Sequence, residues 1–245
     1  MPDTWAPSLG RSAVHDEALK AALERHDAPL DAIGPLARIL TALAAEPDPH
    51  TSVDPAHAVD VHVADSLSGL AVAELRDAGA IADVGAGAGF PGLALAAVLP
   101  RARVDLIESA GRKAAVVERL ARAGGLANAR PVCARVEEWA AQDGNGAYDA
   151  ATARAVGPLA VLAEYAAPLL RHGGVLVAWK GARDAAEESA AARAAAQLGL
   201  EPVAVLPVTP YPDSRNRHLH VYSKVRETPA GFPRRPGMAA KRPLG

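Results

Sequence analysis

The chain has 245 residues, of which half are apolar and only 4% are aromatic, and its formal net charge is −2. This length suits one large domain or one domain with a small cap, and the alanine-rich composition favours an α/β protein over an aromatic-rich sandwich. The charge is uneven, because residues 211–245 carry eight Lys or Arg against two acids, about +6, which leaves about −8 for the rest. A basic end of this kind favours an anionic partner.

Cysteine usage and hydropathy indicate the compartment. Cys133 is the single cysteine, so no disulfide can form within one chain and a reducing compartment is expected. No apolar run reaches the roughly 18 unbroken residues of a membrane span, and the first residues lack the pattern of a secretory signal. We therefore expect a soluble, cytoplasmic protein with no membrane partner.

The N-terminal part is expected to be helical. Residues 1–12 have no regular pattern and are expected to be frayed. From about Ala13 to Ala45, apolar residues recur at helical spacing. The proline-rich segment 46–55 interrupts this pattern, and a further helix is predicted from about Pro55 to Leu75. Because no strand pattern occurs here, residues 1–75 are predicted to form a helical cap.

After the cap, strand-like runs alternate with helical ones. Strands are predicted at 81–84, 103–108, 129–133, 148–154, 174–180, 201–208 and 218–225, and helices at about 91–99, 111–124, 135–141, 157–171 and 183–198. This alternation is typical of a parallel, doubly wound α/β sheet. The last two strands are joined by too short a turn for a crossover helix, so they are predicted to form an antiparallel hairpin. We expect the sheet domain to span 76–225 and a basic tail to span 226–245.

A glycine-rich loop follows the first predicted strand. Its residues fit two overlapping motifs: Asp83-x-Gly85-x-Gly87-x-Gly89, and the G-x-G-x-x-G of dinucleotide sites at Gly87, Gly89 and Gly92. Three alternate glycines after a buried strand exceed the needs of a tight turn. Since ligands of open α/β sheets bind beyond the carboxyl ends of the strands, the loop predicts a nucleotide cofactor.

The neighbours of these glycines favour one class of cofactor. A dinucleotide pyrophosphate needs free amides at the following helix N-terminus, but Pro91 has none to give. The carboxylate of Asp83 also suits a cationic, phosphate-free ligand such as S-adenosylmethionine, in which case Gly92 is a packing residue. Glu108 ends the second strand, where an acid can accept hydrogen bonds from both ribose hydroxyls in either cofactor class. An NAD(P)-dependent oxidoreductase remains the alternative.

Several segments of the chain resemble the RsmG (GidB) family of bacterial 16S rRNA guanine-N7 methyltransferases. The matching segments are DVGAGAGFPGLALA (83–96), LIESAGRKAAVVE (106–118), ARVEEW (134–139), ARAVGPL (153–159), GGVLVAWKG (173–181), HVADS (62–66) and the tail FPRRPGMAAKRPL (232–244). The resemblance runs from about residue 35 to the end. The combination of Gly-Phe-Pro-Gly, Glu-Ser-x-x-Arg-Lys and Arg-Val-Glu-Glu is specific to this family.

The resemblance implies a Rossmann-like class I methyltransferase fold of seven strands with an antiparallel last strand. It also implies N7 methylation of one guanine of 16S rRNA, with S-adenosylmethionine as donor and 16S rRNA or the small ribosomal subunit as partner. A monomer is expected, since it suits a protein that docks on a large particle. The family's cofactor contacts fall here on Gly85, Phe90, Val136, Glu137 and Arg154. The full set predicted to bind the cofactor adds Asp83, Gly87, Gly89, Glu108 and Ser109.

The predicted reaction requires no acid–base catalysis. Guanine N7 carries a free lone pair at neutral pH, so methyl transfer relies on positioning, and no catalytic residue and no metal site are assigned. The residues predicted to bind RNA are Arg112, Lys113, Lys180, Arg215, Arg217, Arg234 and Arg235, with a solvated surface or tail as the alternative. His62 and Asp65 are expected to form a buried pair or to contact substrate, and Cys133 is expected in the core.

Two positions depart from the family pattern. Pro49 stands where the family usually has an asparagine, and Val61 where it has a basic residue. The altered segment leaves a non-catalytic RNA-binding protein open as an alternative. A small-molecule methyltransferase of the same fold is a separate alternative, against which the basic C-terminal end and the small, aromatic-poor cap argue.

Overall fold

The computed structural model describes the backbone of residues 8–245 and the side chains from residue 15 onward. The frayed segment predicted at residues 1–12 lies outside this described part, except for residues 8–12, whose backbone begins the first helix.

The chain forms a seven-stranded sheet with helices on both faces. The strands are β1 (Ala80–Val84), β2 (Arg103–Glu108), β3 (Ala129–Cys133), β4 (Tyr148–Arg154), β5 (Leu170–Lys180), β6 (Leu200–Val208) and β7 (Arg217–Lys224). The helices are α1 (Ser8–Arg25), α2 (Ile33–Ala45), α3 (Asp65–Leu67), α4 (Ala73–Arg76), α5 (Gly92–Val98), α6 (Gly111–Gly124), α7 (Val136–Ala140), α8 (Leu159–Ala166), α9 (Ala185–Leu198) and α10 (Met238–Lys241).

The strand order is β3-β2-β1-β4-β5-β7-β6. The five strands from β1 to β5 run parallel, and β7 pairs antiparallel with both β5 and β6. The predicted doubly wound sheet with an antiparallel terminal hairpin is therefore confirmed. The order reverses between β1 and β4, and this switch point is where such sheets bind ligands.

Each face of the sheet has its own apolar core. The first core joins buried residues of α1, α2, α5 and α6 with the sheet, for example Leu23, Leu36 and Val117. The second lies under α7, α8 and α9 and includes Leu162 and Leu198. The cap helices thus share a core with the sheet. The division into a cap, a methyltransferase domain and a tail stays a prediction.

The cap is more broken than its periodicity predicts. The chain turns between α1 and α2, where the Arg76 guanidinium donates hydrogen bonds to the carbonyls of His26 and Asp27. The predicted helix at 55–75 is instead a series of short turns that includes a π-helical segment, Val59–Ala64. Hydroxyl groups there bond to helix carbonyls, as when Ser68 Oγ donates to the carbonyl of Asp65. Such bonds compete with regular helix, and π turns are frequent at functional sites.

The carboxyl ends of the parallel strands meet at one edge of the sheet. The glycine loop follows β1, Glu108 ends β2, α7 follows β3, and Arg154 and Lys180 end β4 and β5. Within the described part, no helix is both long and apolar enough to span a bilayer.

Candidate functional site

The glycine loop has a backbone that side chains rarely adopt. Gly85, Gly87 and Gly89 have φ angles of +67°, +58° and +95°. A Cβ on Gly89 would lie 2.4 Å from the Leu93 side chain, whereas a Cβ on Gly87 would meet nothing closer than a backbone oxygen at 3.7 Å. The loop therefore packs tightly at Gly89 and leaves bare backbone open at Gly87.

Asp83 supports this loop from inside. Its carboxylate is fully buried and accepts hydrogen bonds from the Gly92 amide and the Thr152 hydroxyl, both at 2.9 Å. Burial raises the pKa of Asp83 to about 6. The expectation that this carboxylate faces the cofactor is corrected, because both of its oxygens are engaged inside the protein. Gly92 is confirmed as a packing residue, since a Cβ there would lie 2.6 Å from Asp83 Oδ2.

Glu108 connects β2 to the open part of the loop. One carboxylate oxygen accepts the Gly87 amide at 3.1 Å, and the other accepts the Ala110 amide at 2.8 Å. Each oxygen keeps a lone pair for a further hydrogen bond. Bare backbone beside an acceptor of this kind fits a nucleoside with two neighbouring hydroxyls, so the residues present fit S-adenosylmethionine. Ser109 follows at an exposed position.

The short helix α7 borders the same edge. Cys133, the last residue of β3, lies opposite Glu108 in the sheet register, and Val136 and Glu137 begin α7 three residues later. The carboxylate of Glu137 accepts the Gly237 amide of the C-terminal tail at 2.7 Å. Cys133 itself is exposed, so its predicted place in the core is wrong: β3 is the edge strand of the sheet.

Phe90, at the end of the glycine loop, stacks on a histidine of the cap. The rings of Phe90 and His62 are 4.7 Å apart and inclined by 15°. Burial lowers the pKa of His62 to about 4, which keeps the imidazole neutral at physiological pH. The expected pairing of His62 with Asp65 is wrong, because Asp65 pairs with Arg154 and His62 Nε2 lies 3.3 Å from Thr51 Oγ1.

Arg154 joins the sheet to the cap. Its guanidinium donates to the Asp65 carboxylate at 2.8 Å and to the Val61 carbonyl at 2.9 Å. Trp179 Nε1 donates to the backbone carbonyl of the same Asp65 at 2.8 Å. Val61 stands where the family has a basic residue. Because the contact with Arg154 uses the backbone carbonyl of position 61, this difference in side chain leaves the contact intact. The HVADS motif marks Asp65 as a candidate residue in the sequence, but no sequence pattern indicates Arg154 as its partner.

A cleft of about 210 Å³ opens beside this cluster. Its charged or aromatic lining residues are Asp65, Arg154, Trp179, Lys180, Arg217 and His218. Val156 lies between two further lining residues, Ala155 and Gly157. A Cβ built on Gly85 would lie 2.8 Å from the Val156 side chain. The cleft is therefore the immediate neighbour of the glycine loop.

Ala155 and His218 were missed by the sequence reasoning. Ala155 has a φ of +58°, which an alanine rarely adopts, and no sequence pattern reveals this.

The remaining basic residues differ in their surroundings. Arg112, Arg215 and Arg235 are exposed, and Lys113 is half-buried. Lys180 donates to Glu187 at 2.7 Å. Arg234 forms a bidentate ion pair with Glu164, which is 2% exposed, so its expected role in RNA binding is corrected to a structural one. Among the residues described, no group of His, Cys, Asp and Glu is arranged to hold a metal ion.

The sheet order, the antiparallel last strand, the glycine loop after β1 and the acid that ends β2 together define a Rossmann-like class I methyltransferase. Among solved structures, cofactor-bound Rv0187 from MTB has a TM-score of 0.53 at 22% identity, with 79% of this chain and 90% of that chain covered. Aeropyrum pernix fibrillarin, solved with natively bound S-adenosyl-L-methionine, has a TM-score of 0.50 at 20% identity, with 65% and 72% covered. These similarities support the fold.

The sequence comparisons identify the family. A family model described as rRNA small subunit methyltransferase G matches residues 50–218. The ribosomal RNA small subunit methyltransferase G of Rubrobacter xylanophilus is 47% identical over 187 residues, which cover 75% of this chain and 72% of that protein. The protein of the same name from Synechococcus elongatus is 42% identical, with 78% and 80% covered. The chain belongs to the rRNA small subunit methyltransferase G family, as its motifs predict, and is an S-adenosylmethionine-dependent enzyme.

Proposed function

We propose that the chain transfers a methyl group from S-adenosylmethionine to N7 of a guanine in 16S rRNA. The observation that carries this function is the contact between an open glycine loop, braced by Glu108, and a basic cleft at the same edge of the sheet. When bound, the cofactor supplies an electrophilic methyl group. Family membership favours this reaction over the oxidoreductase and small-molecule methyltransferase alternatives.

Glu108 and the loop hold the nucleoside end of the cofactor in this proposal. The Gly87–Glu108 hydrogen bond fixes the carboxylate before the ligand arrives, so little ordering is needed on binding. Gly85, Gly89, Phe90, Ser109, Val136 and Glu137 are proposed to line the rest of the cofactor site. Arg154 is proposed to shape it indirectly, since its guanidinium is already bonded to Asp65 and to the cap.

The target base is proposed to enter the cleft beside Arg154. Lys180, Arg217 and His218 line it and can contact the phosphates that flank the base. Asp65 is the carboxylate among the lining residues; although it is paired with Arg154, its oxygens partly offset the positive charge that forms when N7 is methylated. His62 stays neutral nearby, so it adds no positive charge that would oppose that product.

We place the reaction in the cytoplasm, where bacterial ribosomal RNA is made and assembled, and we propose a monomer as the active form. Exposed Arg112, Arg215 and Arg235, with half-buried Lys113, are proposed to extend the RNA contact beyond the cleft. Each phosphate neutralised in this way makes binding more salt-dependent.

The direct test is methylation of small subunits, or of 16S rRNA, from cells that lack this activity. Labelled S-adenosylmethionine should transfer its methyl group into the RNA, and nuclease digestion should yield N7-methylguanosine. Cofactor binding without transfer into RNA would favour the non-catalytic alternative. In a thermal shift assay, S-adenosylhomocysteine should stabilise the protein and NADH should not.

We predict that Glu108→Gln weakens S-adenosylhomocysteine binding about 10- to 100-fold, because a hydrogen bond to a charged group contributes about 1.5–3 kcal/mol. Isothermal titration calorimetry measures the change. Glu118→Gln is the matched control, since Glu118 lies on the exposed face of α6 and pairs with Arg122 one turn later. Equal affinities for the two variants would contradict the role given to Glu108.

A further inference from the structure

The C-terminal tail is folded against the methyltransferase domain. We call residues 232–245 the tail strap. Phe232 and Leu244 pack against the core under α7, α8 and α9, and Ala239 in α10 is only 1% exposed. A solvated basic tail would keep none of these contacts, so the strap has a structural task.

One arginine anchors the strap to helix α8. Both sides of the Arg234 guanidinium bond to the carboxylate of buried Glu164, and the same guanidinium donates to the Arg242 carbonyl at 2.9 Å. Arg234, near the start of the strap, is thereby bonded both to Arg242, near its end, and to the buried acid Glu164. Because a buried carboxylate without a partner is unfavourable, Glu164 strongly favours the docked strap.

The docked strap also reaches helix α7. Gly237, which precedes α10 with a φ of +80°, donates its amide to Glu137 Oε1 at 2.7 Å. Helix α7 has only five residues, too few to be stable through its own hydrogen bonds, so its position depends on outside contacts. Its first turn follows β3 at the point where Cys133 lies opposite Glu108.

We propose that the tail strap positions the first turn of α7 and thereby sets the affinity for the cofactor. Arg234 docks the strap, and Gly237 holds Glu137 through its amide. The inference rests on the proposed function, in which the cofactor lies beside Glu108, Val136 and Glu137. If the strap favours cofactor binding, the bound cofactor must favour the docked strap by the same factor.

The test compares two arginines of the strap in the full chain. Arg234→Ala removes the anchor, whereas Arg242→Ala removes an equal charge from an exposed side chain and keeps the backbone carbonyl that accepts from Arg234. We expect Arg234→Ala to raise the dissociation constant of S-adenosylhomocysteine about five- to tenfold and Arg242→Ala to leave it unchanged. The KM for S-adenosylmethionine should rise in Arg234→Ala, while kcat stays near the wild-type value.

Hydrogen exchange gives a second readout that does not depend on activity. S-adenosylhomocysteine should slow exchange of the Gly237 amide in the wild type, and much less in Arg234→Ala. If Arg234→Ala does not fold, Arg234→Lys keeps the charge but loses the bidentate contact, and its affinity decides the question.

The strap and the proposed function fail in different ways. A wild-type chain that does not bind S-adenosylhomocysteine overturns the proposed function. If the wild type binds it and the Arg234→Ala and Arg242→Ala variants have equal affinity, the strap proposal alone is overturned.

Discussion

At the scale of single residues, Asp83 shows how one buried acid organises a ligand loop. The carboxylate joins the first amide of α5 to Thr152 on the neighbouring strand β4. The amide at the helix N-terminus that could bind a pyrophosphate is thus already occupied. Pro91 and Asp83 both disfavour a dinucleotide in the sequence, and in the structure Asp83 acts as an internal brace that occupies the Gly92 amide.

The raised pKa of Asp83 makes a prediction about stability and pH. Folding lifts this pKa from 3.8 to about 6, so the folded chain binds more protons than the unfolded chain between these values. The contribution of Asp83 to stability therefore falls as pH rises from about 4 to 6, by roughly 2–3 kcal/mol in total. An asparagine can keep both hydrogen bonds without a charge. The stability of Asp83→Asn relative to the wild type should therefore increase by that amount as pH rises over this range.

Urea unfolding of both proteins from pH 4 to 7.5 measures this difference. Glu46→Gln supplies a control of opposite sign, because the Arg119 hydrogen bond lowers the pKa of Glu46 and the wild-type advantage there grows as pH rises. A stability difference between Asp83→Asn and wild type that is independent of pH would contradict the assignment.

At the scale of elements, a glycine inside the glycine loop can be compared with one outside it, so that the effect of a substitution on ligand binding is measured apart from its effect on backbone strain. Gly87 and Gly146 have nearly equal φ angles, +58° and +57°, and neither Cβ would meet a side chain. Alanine at either position should destabilise the fold by about 1 kcal/mol through the strained φ. Only Gly87 lies at the proposed cofactor site, where a methyl group would fill the open backbone.

We therefore predict that Gly87→Ala reduces affinity for S-adenosylhomocysteine at least tenfold while Gly146→Ala leaves it unchanged, at matched losses of stability. A tenfold loss of affinity corresponds to about 1.4 kcal/mol of binding free energy. Calorimetric titration gives the affinities, and thermal unfolding gives the stabilities. Equal weakening by both variants would mean that global stability, and not the open backbone, limits binding.

The sequence predicts some elements far better than others. The bounds of β2, β3, β4 and α6 agree with the structure to the residue, because the strands are short apolar runs and α6 is an amphipathic helix that begins and ends at a glycine. The helix predicted at 55–75 fails, since hydroxyl groups and the contact of Trp179 with Gly69 shape that segment from outside its own sequence. Within the site, the glycine loop and Glu108 could be predicted locally, whereas the partner of Arg154 is 89 residues away.

At the scale of the whole molecule, the distribution of charge changes meaning once the chain is folded. The basic C-terminal end suggests a single RNA-binding tail in the sequence. In the structure, Arg234 is paired internally, Lys224 is buried, and Arg217 lines the cleft. The positive charge proposed for RNA therefore lies around the carboxyl edge of the sheet, where the glycine loop is also found.

This arrangement predicts how RNA binding responds to salt. Arg112 opens α6 beside the site, Arg215 lies in the β6–β7 turn, and both are exposed, so each can neutralise about one phosphate. Alanine at either position should reduce the slope of log K against log salt by about 0.7–0.9, because fewer counterions are released.

Arg101→Ala removes an equal exposed charge just before β2, at the opposite edge of the sheet, and should leave the slope unchanged. Fluorescence anisotropy with a labelled 16S rRNA fragment from 50 to 200 mM salt measures all three slopes. Equal slopes for the three variants would mean that the protein attracts RNA by overall charge alone, since only binding at the carboxyl edge distinguishes Arg112 and Arg215 from Arg101.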